Sequence, residues 1–184
     1  MNLLPPMPTW EGAHPILVHL PIGVLVFAPV LLIIAAVDAK RRKVWACSAL
    51  AAMLFGTLFA FLAVMTGEEA AEHVVVSAQV EAVMEHHEEL GEAARTVFAA
   101  LTGVFAAILL VGTYVKKKWA RPAVTIGSVL FGLGYLYGLG LLANTGHEGG
   151  RLVHQFGVHA PVAQGSANSP ARPADDDEHE DDDD

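Results

Sequence analysis

The sequence predicts an all-α protein. The fold is an integral membrane four-helix bundle, with an extra extramembrane helical segment between helices 2 and 3 and a disordered acidic C-terminal tail. Three observations predict it. First, residues 16–37, 44–66, 96–115 and 123–145 are four blocks without a single Asp, Glu, Lys or Arg. Each is close to the roughly 20 apolar residues needed to cross the hydrocarbon of a bilayer. Second, 53% of the 184 residues are hydrophobic and the mean hydropathy is +0.44, high for a soluble domain of this size. Third, the charges are segregated: eight of the 11 basic residues lie in the two short connections, 40–43 and 116–121. The expected organisation is one membrane domain over residues 1–160 and a tail over 161–184.

Residues 1–13 form a Pro-rich arm. His14 stands where an N-cap belongs and Pro15 at the first helical position, a common start. No basic residue precedes the first block, which is also longer than the apolar core of a secretory signal, so it reads as a retained helix. Pro21 and Pro29 lie inside it. Each removes a backbone donor and frees the carbonyl four residues earlier, so a bend is expected.

Helix 2 is expected to stop at Gly67. A helical stretch then runs from about Glu68 to Leu90. His73, Val76, Val80, Val83, His87, Leu90 and Ala94 recur at spacings of three and four, an apolar stripe on one face. Glu81, Glu85, Glu88 and Glu92 form another face. The pattern turns His87 toward the bundle and leaves His86 nearer the edge. In helix 4, Gly134-x-x-x-Gly138 permits either close helix packing or room for a flat ligand. The glycines of NTGHEGGRLVH, residues 144–154, suggest irregular structure after that helix. From Pro161 the chain is rich in Ala, Pro, Ser, Gly and acid, a disordered composition.

Orientation follows from the basic connections, which belong on the cytoplasmic side of a bacterial inner membrane. Both termini and the long connection between helices 2 and 3 then face the periplasm. The net charge of −9 has one source: the tail holds nine of the 20 acids, and the other 11 balance the 11 Lys and Arg. The single Cys47 has no disulfide partner, and no C-x-x-C-H is present for covalent haem attachment.

All nine histidines fall on the predicted periplasmic side, and eight of them come from three segments that meet at one end of the bundle. Imidazole is a good ligand for iron, copper and zinc. A non-covalent haem b needs two axial imidazoles from facing helices, with small residues beside them. His19 and His87 are the first-choice ligands, with His14 and His147 next and His14–His87 as an alternative pair. Gly23, one turn from His19, leaves space beside the imidazole, and His154 joins the candidates for a transition metal ion. The bland alternative is that these histidines and the nearby glutamates form a hydrogen-bonded cap on a non-enzymatic scaffold or assembly subunit, whose acidic tail binds a partner. A transporter would need polar groups across the full membrane depth, and the apolar cytoplasmic halves argue against one.

The segment H-P-x-L-V-H-x-P-I-G, His14 to Gly23, resembles the opening signature of the DUF2231 family of bacterial four-helix membrane proteins. His87, Glu88, Glu89 and Leu90 are similar to its H-x-x-L/A segment. Thr145, Gly146, Gly149, Gly150, Leu152 and Val153 are similar to its T-G-x-x-G-G-x-L-V segment. His154 stands where members often have tyrosine, and Phe156 where a histidine is usual. The resemblance covers residues 12–160 and implies a four-helix membrane domain of unassigned function. Similar domains occur beside or fused to c-type cytochromes, which implies a respiratory setting. The expected partners are therefore membrane lipid and a periplasmic c-type cytochrome or other redox protein, with no nucleic acid. The expected role is a redox or binding subunit rather than a stand-alone enzyme.

Overall fold

The computed structural model describes residues 9–114 and 121–158. A single 3-10 turn at Glu11–Ala13 leads into α1, His14–Leu17, and α2, His19–Val37. Three long helices follow: α3 at Arg42–Glu72, α4 at Ala78–Tyr114 and α5 at Arg121–His154. Among the described residues four helical stretches are long and apolar enough to cross a membrane: His14–Val37, Arg42–Glu72, Ala78–Leu110 and Gly127–His154. The acidic tail and Lys116–Trp119 lie outside the described residues.

Three element boundaries differ from the sequence-based expectation. Gly67 does not end α3, which continues to Glu72. Of the helical segment expected from Glu68 to Leu90, the first five residues thus belong to α3, and the part from Ala78 joins the third membrane helix without a break, as the first part of α4. Likewise Gly149 and Gly150 are helical, and α5 runs on to His154. At 1.5 Å per residue, α3, α4 and α5 are roughly 46, 55 and 51 Å long, well beyond the ~30 Å hydrocarbon. Their surplus lies at the histidine-bearing end, where the glutamates are. Packing of long neighbours outweighs the modest helix cost of an interior glycine.

Successive elements are neighbours in space. α2 packs on α3, α3 on α4 and α4 on α5, whereas α2 and α5 meet at only a few positions. The chain is thus two helical hairpins side by side, α1–α2 with α3 and α4 with α5. Leu25, Ala28, Met53, Phe98 and Tyr135 form the core where they meet. The outward faces are apolar: Val26, Leu54, Leu58, Leu130 and Leu136 are all more than half exposed. That is the pattern of a bundle solvated by lipid.

Close approach needs small residues. A Cβ on Gly56 would stand 2.6 Å from Leu25 Cγ, and one on Gly138 would stand 3.1 Å from Phe98 Cζ. A Cβ on Gly134 would meet Leu101 at 3.3 Å. The Gly134-x-x-x-Gly138 stripe therefore serves helix packing, not a ligand. At the other end, Asp38 closes the α2–α3 connection. Its carboxylate accepts from the Arg41 N–H at 3.1 Å and from Trp45 Nε1–H at 3.2 Å, and Arg42 Nε–H donates to the Ala35 carbonyl at 3.2 Å.

Polar groups in the apolar interior find partners on neighbouring helices. The Thr57 and Thr102 hydroxyls pair at 3.0 Å between α3 and α4. Pro29 has no N–H for the Leu25 carbonyl one turn earlier. The Tyr135 hydroxyl of α5 donates to that carbonyl at 2.8 Å and joins the two hairpins there. Tyr135→Phe leaves the Leu25 carbonyl without a partner and is expected to destabilise the protein by about 1 kcal/mol. Unfolding in mixed micelles measures this. Tyr137→Phe, on the lipid-facing side of α5, is the control expected to change stability little.

Candidate functional site

The site is built from one local device that occurs in each hairpin. In the first hairpin, Pro21 has no N–H to offer the Leu17 carbonyl, and the helix is interrupted at Val18, so α1 carries His14 as a separate short turn against α3. The Nδ1–H of His14 donates to the Ala63 carbonyl at 2.8 Å and lies 3.4 Å from the Thr66 hydroxyl oxygen. The ring rests on Gly67, where a Cβ would stand 2.9 Å from His14 Cε1. In the second hairpin, the Nδ1–H of His87 on α4 donates to the Thr145 carbonyl of α5 at 2.9 Å. Its ring rests on Gly149, where a Cβ would stand 2.9 Å from His87 Cε1.

In both cases the carbonyl and the glycine are four residues apart, one turn along the same helix face. Only glycine lets an imidazole lie that close to a helix backbone. This also explains why Gly67 and Gly149 stand inside helices.

The two devices face each other. The ring centroids of His14 and His87 are 6.4 Å apart, with ring planes at 89°. A carbonyl oxygen only accepts, so each Nδ1 carries its hydrogen, and in the neutral ring Nε2 keeps its lone pair. Of the ring atoms nearest each glycine, Nε2 is the farthest, 3.6 Å for His14 and 3.7 Å for His87. This is how metal-ligating histidines are held: one nitrogen fixed by a backbone carbonyl, the other free to coordinate.

Around the pair lies a cavity of about 510 Å³, within the roughly 300–1,000 Å³ usual for bound small molecules and cofactors. Its walls are mostly small and apolar, with Ala63, Gly67, Gly91, Ala94, Gly146 and Gly149 among them. Polar groups at its edges include Glu68, Glu88 and Arg95.

The other predicted ligands are placed differently. His19 lines the cavity, but its ring is exposed and its Nδ1–H donates to the Pro15 carbonyl at 2.6 Å. His154 is exposed at the end of α5 and reaches the cavity wall. His147 is exposed and does not line the cavity. Gly23 lies on an exposed face, where a Cβ would meet nothing within 4 Å. Among the described residues no three His, Cys, Asp or Glu side chains converge as they do around a protein-held metal ion. The sequence alone did not identify Gly67, Gly149 or the two carbonyl acceptors as parts of one site. The spacing Ala63-x-x-x-Gly67 and Thr145-x-x-x-Gly149 was the available signal.

The chain belongs to the DUF2231 family, described as predicted membrane proteins, whose profile matches residues 11–161. That span contains His14, His19, His87, His147 and His154 and excludes the acidic tail. No curated protein and no solved structure matches the sequence.

Two outcomes are expected from the site geometry. Nitrogen-15 NMR of the imidazoles should find His14 and His87 in the Nδ1–H tautomer. Gly67→Ala and Gly149→Ala should each displace the ring they support and cost about 1–3 kcal/mol, as overpacking does. Gly23→Ala should be near neutral in the same unfolding assay.

Proposed function

We propose that the protein binds a non-covalent haem b between its two helical hairpins, with His14 and His87 as axial ligands, and that it serves electron transfer. The observation that carries this reading is the facing pair of imidazoles, each fixed through Nδ1 to a backbone carbonyl of its own hairpin. With ring centroids 6.4 Å apart, the two imidazoles would hold the group from opposite sides. A bare ion needs three or four protein donors, and no such group exists among the described residues. Haem iron receives four nitrogens from its own macrocycle and asks the protein for two. The small-residue walls of the cavity suit a flat apolar ring. Bound there, haem would supply one-electron chemistry. The protein's part is to hold both ligands, exclude water and shape the surrounding charge. A transition metal ion there, the alternative prosthetic group, would need donors beyond these two histidines.

In this reading the histidine-bearing end faces the periplasm of a bacterial inner membrane, with both termini on that side. Its acidic surface and tail suit a basic soluble redox protein, such as a c-type cytochrome. One observation favours the scaffold reading instead. The bonds from His14 to Ala63 and from His87 to Thr145 are themselves cross-links between helices, and a structural cap needs no more than that.

A reduced-minus-oxidised visible spectrum separates the two readings, taken on protein purified in detergent from cells supplied with haem. The expected result is one haem per chain and a sharp α-band. That band should fall below about a tenth in His14→Ala and in His87→Ala, since each removes an axial ligand. It should persist in His147→Ala and His86→Ala. Absence of haem, together with absence of stoichiometric iron, copper or zinc by elemental analysis, would sink the cofactor reading and leave the scaffold.

A further inference from the structure

The two hairpins repeat the same device but not the same surroundings, and the difference falls at one register position. Three residues past the carbonyl that holds His14 stands Thr66. Three residues past the carbonyl that holds His87 stands Glu148. Thr66 is fully buried and neutral, with its hydroxyl bonded to the Leu62 and Ala63 carbonyls at 2.9 and 3.0 Å. Glu148 is a carboxylate whose side chain is only 12% exposed, within the span Gly127–His154. It accepts from Arg151 Nη1–H at 2.7 Å, and the Arg151 side chain is 33% exposed. Glu148 directly precedes Gly149, against which the His87 ring packs. A carboxylate this buried is costly to place, and the Arg151 guanidinium offsets that cost. Helix stability does not require a carboxylate there, because the equivalent turn of α3 is built around a threonine.

We infer that Glu148 is a positioning residue: with Arg151 it forms a charged pair beside the His87 ligand that sets the reduction potential of the prosthetic group, while the neutral Thr66 turn leaves the His14 side unbiased. The inference rests on the haem reading above. A negative charge near a haem favours the ferric state, with its extra positive charge, and lowers the potential. A positive charge does the reverse. Glu148 and Arg151 therefore act with opposite signs, although they form one structural ion pair.

Potentiometric titration of haem-loaded protein tests this with three variants. Glu148→Gln should shift the one-electron equilibrium toward the reduced form by roughly tenfold, which is ~59 mV. Arg151→Gln should shift it the other way, and Glu81→Gln, which removes an exposed carboxylate away from the cavity, should barely move it. A purely structural pair would move both charge variants in the same direction or not at all. Either result, with haem retained, overturns the inference and leaves the haem reading intact. If Glu148→Gln does not retain haem, the sign of the Arg151→Gln shift decides alone. A wild-type protein that takes up no haem overturns the haem reading itself, and this inference with it.

Discussion

In hydrocarbon there is no water to satisfy a polar group, so each one must find its partner within the protein. That constraint organises this bundle. Pro29 frees the Leu25 carbonyl, and Tyr135 reaches across from α5 to occupy it. Thr57 and Thr102 pair with each other. His14 and His87 each give one nitrogen to a backbone carbonyl of the adjoining long helix. None of these contacts is a large contributor by itself, at about 1 kcal/mol or less. Together they determine how the helices register against one another, where apolar burial between lipid-solvated helices supplies little preference.

The same constraint explains why the site lies where the two hairpins face each other. Satisfying one ring nitrogen within the hairpin leaves the other nitrogen of each histidine without a partner in its own unit. Glycines at 67 and 149 bring the rings close to the backbone and keep the space between the hairpins open. Each hairpin thus presents one imidazole to the other. The halves differ in charge: α5 carries the Glu148–Arg151 pair where α3 carries Thr66.

The long extensions of α3, α4 and α5 at this end put the site beside a strongly acidic region. Glu68, Glu69 and Glu72 lie on the extension of α3, and Glu81, Glu85 and Glu89 on that of α4. Arg95 and Arg151 are each held by a glutamate three residues earlier, Glu92 at 3.0 Å and Glu148 at 2.7 Å. Among the described residues, this end of the bundle is therefore net negative.

Composition and spacing alone determined the membrane class, the four spans, the segregation of charge and the gathering of histidines at one end. These depend on transfer free energies and helical periods, which are properties of a segment by itself. The His14–Gly23 stretch also placed the chain with its family, and the match over residues 11–161 agrees. Which histidines meet was a different matter. His19 lies deeper in the apolar run than His14, and that position, with Gly23 one turn away, favoured it. The interruption at Val18 instead sets His14 against α3, while His19 closes on its own Pro15 carbonyl. Gly67 read as a helix stop, and Gly149 as a sign of irregular structure, because glycine is a poor helix former. Long neighbouring helices carry them through, and the rings that rest on them explain their presence. The facing of two imidazoles, and the inequality of Thr66 and Glu148 behind them, came only from tertiary structure. Both depend on how two hairpins are set against each other, which no period within a single helix encodes.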